Sequence, residues 1–125
     1  NIELHPFAQP EQVAKAMRNS RFLVLPSFMD HWPLVVSEAS LSGCGLILSN
    51  KVGNAPEFVT AKNGFSFNPK SDTELYDCLV KASLLSNKKL DEVYKESLRL
   101  GSIYTPKKSG EKFSQIINDI ISLNY

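Results

Sequence analysis

Two carboxylates eight positions apart, Asp30 and Glu38, bracket a short loop carrying His31, Trp32 and Pro33, and no other stretch of the chain is better equipped for chemistry. The apolar run Arg21-Phe22-Leu23-Val24-Leu25 before the loop is rich in strand formers and is stopped by Pro26. The helix after it is expected to begin at Pro33, because proline's fixed φ and missing N–H suit a first helical position, and to end at Gly43. The residue before Pro33 is Trp32, where Ser, Thr, Asp or Asn usually caps a helix. The first free N–H groups of that helix, at its positive dipole end, are then open to an anion such as phosphate, unless Asp30 reaches back to cap them.

At about 100° per residue, Leu34, Val35, Val36, Ala39 and Leu41 cover most of this helix, and Ser37 and Ser40 form a narrow polar edge. Glu38 therefore projects from an apolar arc, and its carboxylate is expected to be buried in a cavity shared with the 29–35 loop. A buried carboxylate without partners costs several kcal/mol, so a polar group must meet it. That group is either a donor of the protein itself or a ligand rich in hydroxyls.

The loop must be held by the elements around it. The pattern predicts strands near 2–5, 21–25, 45–49 and 64–68, alternating with helices at 11–19, 33–42 and 55–60. Such alternation indicates an open, Rossmann-like α/β/α layered sheet of about four parallel strands. Ligands are expected beyond the C-terminal ends of its strands, where Asp30 to Trp32 and Val52 to Asn54 lie. From Ser71 the texture is helical. Ser71-Asp72-Thr73-Glu74 has the form of a capping box, a second helix runs to about Gly101, and a third begins at Thr105-Pro106 with the stripe Phe113, Ile116, Ile117, Ile120 and Ile121. Part of this stripe is expected to pack on the sheet and part to stay exposed, beside the apolar residues around Trp32, which predicts self-association.

The chain of 125 residues is the size of one domain, 1–125. With 14 basic against 13 acidic residues it carries no field that would favour nucleic acid. Neither an apolar run of membrane-spanning length nor a signal-type leader is visible, so a cytoplasmic location is expected. The two cysteines, Cys44 and Cys78, lack the spacing and the His companions of a metal site and read as reduced, structural thiols.

The strand ending in Pro26-Ser27, the acid Asp30, the aromatic and proline loop, Glu38-Ala39 and Gly43 together resemble the donor-binding segment of retaining GT-B glycosyltransferases of the family 4 type. Gly43 to Asn50 with Gly53-Asn54-Ala55-Pro56-Glu57, and Asn63-Gly64-Phe65-Ser66-Phe67, resemble that family's next strand, Gly-x-x-Pro-Glu turn and closing strand. The resemblance implies the later part of a C-terminal, nucleotide-sugar-binding domain, with the opening of that domain and the N-terminal acceptor domain absent. It implies donor contacts at Asp30, His31, Trp32, Pro33, Leu34, Val35 and Glu38, with Asp30 and Glu38 as the catalytic pair. Glu38 would accept from the ribose hydroxyls, Leu34 and Val35 N–H would meet the diphosphate, Pro33 would shape the turn, and Asp30 would contact the transferred sugar. Asp30 stands where the family commonly has Glu, one methylene or about 1.5 Å longer. His31 and Trp32 occupy positions where Gly and an aromatic residue are frequent; His31 by itself reads first as a surface histidine.

The implied reaction is transfer of a sugar, with retention, from a nucleoside diphosphate sugar to an acceptor hydroxyl, without a bound metal or other cofactor. The isolated chain is expected to be inactive, and in the cell the full protein would sit in the cytoplasm, peripheral at the inner membrane face. The competing reading from another class is a non-catalytic flavodoxin-like or receiver-type module that binds a partner protein. A receiver would place acids at the end of the first strand, and Ile2 to Phe7 offers none there.

Overall fold

The computed structural model describes residues 2–123. Three parallel strands, β1 (Phe22–Leu25), β2 (Gly45–Ser49) and β3 (Gly64–Phe67), form one open sheet in the order β1-β2-β3. Phe22 lies opposite Gly45 and Leu46 opposite Gly64, so the strands advance in step. The described residues form six helices: α1 (Pro10–Arg18), α2 (Leu34–Leu41), α3 (Ala55–Phe58), α4 (Asp72–Ser83), α5 (Asn87–Gly101) and α6 (Pro106–Ser122). A single 3-10 turn, Ser102–Tyr104, joins the last two.

β2 is buried along its whole length, and its alternation assigns the layers. Leu46 and Leu48 face a core shared with Met17 of α1, Val36 and Ala39 of α2, and Phe58 of α3. Ile47 faces the opposite way, toward Phe67 and Cys78 of α4. The α/β/α layering expected from the alternation is present. Among the described residues the strands number three, not about four. Ile2 to Gln9 is irregular, and Ile2 and Leu4 are each 93% exposed. A strand exists only as a pairing, and Pro6 removes a ladder donor from a run already short.

β1 is therefore an edge strand, although its four apolar residues have the composition of a strand covered on both faces. Both cysteines are free and buried. The Cys44 thiol donates to the Met17 carbonyl at 3.1 Å, and burial pushes its pKa up from the ordinary thiol value. Ser71 caps α4 by accepting from Glu74 N–H at 3.2 Å, but the Glu74 carboxylate accepts from Asn68 N–H instead of closing a capping box. The main packing partner of α6 is the 3-10 turn rather than the sheet, and Phe113, Ile116, Ile117 and Ile121 remain partly exposed.

The orientation of α2 is set by α5. A Cβ on Gly101 would stand 2.8 Å from the Leu41 amide nitrogen and 3.0 Å from the Ser40 carbonyl carbon, so the two backbones touch at this point. Close approach selects the face of α2 with small residues, and Ser40 is buried there with its hydroxyl donating to the Val36 carbonyl at 2.9 Å. Filling the gap forces backbone against backbone, and overpacking of this kind costs roughly 1–3 kcal/mol. Gly101→Val should lower the free energy of unfolding by an amount in that range, read as a lower urea midpoint at unchanged slope, and an unchanged midpoint would mean that the helices are not in contact at this point.

Candidate functional site

The loops that leave β1 and β2 at their C-terminal ends are joined. Asp30 and Val52 form an isolated parallel bridge, in which Asp30 N–H donates to the Lys51 carbonyl at 3.2 Å and Gly53 N–H donates to the Asp30 carbonyl at 2.7 Å. Gly53 has to be glycine, because a Cβ there would overlap the His31 carbonyl oxygen. Asn54, fully buried, adds a side-chain link by donating from Nδ2 to the Pro33 carbonyl at 3.2 Å. The order β1, loop, α2 is thus pinned against the β2–α3 turn at three consecutive residues.

Pro33 is the N-cap of α2, with φ −66° and ψ 120°, and the first helical residue is Leu34, one position later than the proline rule suggests. No side chain caps this terminus. Val36 N–H turns back to the Pro33 carbonyl at 3.2 Å, while Leu34 and Val35 N–H find no acceptor among the described residues. Asp30 does not fold back as a cap: its carboxylate accepts no hydrogen bond from the start of α2. At the other end, Gly43 (φ +82°) closes α2 in a Schellman arrangement, with Gly43 N–H on the Ser40 carbonyl and Cys44 N–H on the Ala39 carbonyl, both 3.0 Å.

Trp32 is half exposed and meets the edge of Tyr104, with ring centroids 6.4 Å apart and planes at 74°. Tyr104 in turn lies 4.9 Å from Phe58, a core residue. The loop is thereby anchored by an aromatic relay to the turn after α5. His31 is exposed on the same loop, and Asp30 is half-buried.

Glu38 departs from expectation. It is exposed, and it lines an open groove of about 540 Å³ between α1 and α2, with Phe7, Val13, Met17 and Leu41 among its neighbours. The groove does not include the 29–35 loop. The reason is the α5 contact: once Ala39 and Ser40 face inward, the stripe Leu34, Glu38, Leu41 must face outward, and Leu34 is 68% and Leu41 45% exposed. The carboxylate needs no protein partner because water reaches it. Of the two serines of the polar edge, Ser40 is the one that packs, and Ser37 stays partly exposed.

The structure thus brings Asp30, His31, Trp32, Pro33 and the amides of Leu34 and Val35 to one end of the sheet, and sets Glu38 one turn farther along α2 on the side of α1. Gly53, Asn54 and Tyr104, which hold the loop, were not identified as site residues from sequence. The position of Asn54 beyond a strand end was visible, but its bond to Pro33 joins residues 21 apart and left no local signal. Among the described residues no cluster of three or more His, Cys, Asp or Glu is arranged to hold a metal, and no helix is long and apolar enough to cross a membrane.

An open parallel sheet, helices on both faces, and paired loops at the carboxyl ends of the strands define a Rossmann-like α/β domain. Residues 1–100 match the family of glycosyl transferases group 1. The match spans four-fifths of the 125-residue sequence, and the chain belongs to that family. No curated protein matches it significantly.

The single tryptophan reports on this loop. Removing the Tyr104 ring should expose it further, so Tyr104→Ala should increase acrylamide quenching and shift Trp32 emission to the red. Quenching equal to that of the unaltered chain would show that the aromatic contact does not hold the loop.

Proposed function

We propose that this chain is the donor-binding wall of a retaining glycosyltransferase, taking a nucleoside diphosphate sugar at the carboxyl end of its sheet. The observation that carries the reading is the uncapped start of α2, where two adjacent N–H groups without acceptors stand at the positive end of a helix in a family whose chemistry is glycosyl transfer. The diphosphate lies against Leu34 and Val35 N–H, and Pro33 turns the chain toward it. Asp30 receives a hydroxyl of the transferred sugar, and His31 and Trp32 wall the sugar side of the loop. Glu38, solvated and one turn along α2, accepts from the two ribose hydroxyls, for which its two oxygens are suited.

Transfer breaks the bond between the anomeric carbon and the diphosphate oxygen and forms one to an acceptor hydroxyl oxygen on the same face, the hydroxyl proton passing to the departing diphosphate oxygen. The helix N–H groups stabilise the charge that develops on the leaving diphosphate. Positioning the acceptor needs the opposite wall of the cleft, so the chain alone binds donor without turning it over. No step in this scheme assigns a role to a metal or cofactor.

If Glu38 holds the ribose, Glu38→Gln should weaken the nucleoside diphosphate that binds best among UDP, GDP and ADP by about tenfold or more, the size of one charge-assisted hydrogen bond, and leave pyrophosphate binding unchanged. Equal affinity for the nucleotide in both proteins, read by calorimetry, would remove Glu38 from the donor site. The half-exposed isoleucine stripe of α6 and the exposed residues near Trp32 suit association between copies. Sedimentation should then show a mass that rises with concentration and falls back in Ile121→Asp; a monomer at all concentrations would contradict self-association.

A further inference from the structure

Two buried asparagines make opposite use of the same side chain. Asn63 is saturated: its Nδ2 donates to the Phe58 carbonyl (2.9 Å) and the Ser97 hydroxyl (3.1 Å), and its Oδ1 accepts from Thr60 N–H (2.8 Å). Asn54 is equally buried, at 0% exposure, yet it makes one bond, from Nδ2 to the Pro33 carbonyl, and its Oδ1 has no partner. Turning the amide over would place oxygen against the Pro33 carbonyl oxygen, so the bond to Pro33 fixes the unpaired orientation. Leaving a buried acceptor unpaired costs free energy that an apolar side chain of similar size would not. A residue kept only to fill this space would not need the amide.

What the amide holds is the carbonyl of the α2 N-cap. Pro33 has no N–H and no polar side chain, so this oxygen is the one group through which another residue can hydrogen-bond it, and it also accepts from Val36 N–H. The direction in which the following N–H groups point depends on the peptide planes of the first turn, and these follow the Pro33 carbonyl. We propose that Asn54 is a positioning residue for the donor diphosphate: by gripping the Pro33 carbonyl from the neighbouring turn, it orients Leu34 and Val35 N–H toward a shared anion. Gly53 supplies the close approach that makes this grip possible, since only a residue without Cβ lets the β2–α3 turn lie against His31. The inference rests on the donor-site reading above and adds a residue that acts through the α2 start without touching the ligand.

The test compares the unaltered chain with Asn54→Leu, which fills the same space without the amide, and Asn54→Gln as a second variant that keeps an amide but misplaces it. Each is titrated with the best-binding nucleoside diphosphate, with pyrophosphate and with the corresponding nucleoside, following the amide signals of isotope-labelled protein. The expected result is that Asn54→Leu weakens the nucleoside diphosphate and pyrophosphate alike by about fivefold or more, the worth of one positioning hydrogen bond. Nucleoside binding and the melting temperature should stay close to those of the unaltered chain, and Asn54→Gln should fall with Asn54→Leu. A general structural role would instead weaken all three ligands in parallel with stability, and that outcome overturns the proposal. So does undiminished pyrophosphate binding in both variants. If the unaltered chain binds neither the nucleotides nor pyrophosphate, the donor-site reading itself fails and this inference falls with it.

Discussion

The pairing of two loops at the carboxyl edge of the sheet is the constraint on which the candidate site depends. Parallel strands leave their connecting loops unpaired at the C-terminal edge, and here the gap is closed by the Asp30–Val52 bridge, by Gly53 against the His31 carbonyl, and by Asn54 on Pro33. Each link uses the backbone of the 30–33 segment. The side chains of Asp30 and His31 are left without a hydrogen bond or ion pair among the described residues, and that of Trp32 meets Tyr104. A loop fixed by its main chain and free in its side chains is suited to recognition, because binding then requires little further ordering.

The second constraint is the contact between α2 and α5. It is made where Gly101 meets the Leu41 amide nitrogen and the Ser40 carbonyl carbon, a contact of backbone with backbone, and it decides which way the whole of α2 faces. Because α2 starts in the candidate site, its rotation sets both the direction of the free N–H groups and the placement of Glu38 in the groove beside α1. Packing at Gly101, far along the chain from the 30–35 segment, therefore controls the geometry of the site.

These constraints explain what could be read from the sequence. β2, β3 and the N-capped starts of α4, α5 and α6 were legible, since an apolar run between glycine and polar residues, or a Ser or Thr before a helical period, is a local signal. The strand expected near 2–5 was not, because alternation at Ile2 and Leu4 says nothing about whether a neighbour is present to pair with. The burial of Glu38 was misjudged for a related reason. α2 is apolar on nearly every side, so its periodicity indicates no inward direction, and the small residues that do indicate it gain meaning only beside Gly101. The loop 30–35 was found through its motif, whereas Asn54 and Tyr104, which hold it, act across the fold.

The central claim is that the start of α2 receives a diphosphate, and chemical-shift mapping of the whole backbone with saturating nucleoside diphosphate tests it most directly. The account predicts that the largest displacements fall on Leu34 and Val35, with smaller ones at Asp30, His31 and Gly53, and that α4 and α6 stay unchanged. Displacements absent from the 30–35 segment, or concentrated elsewhere on the sheet, would contradict it.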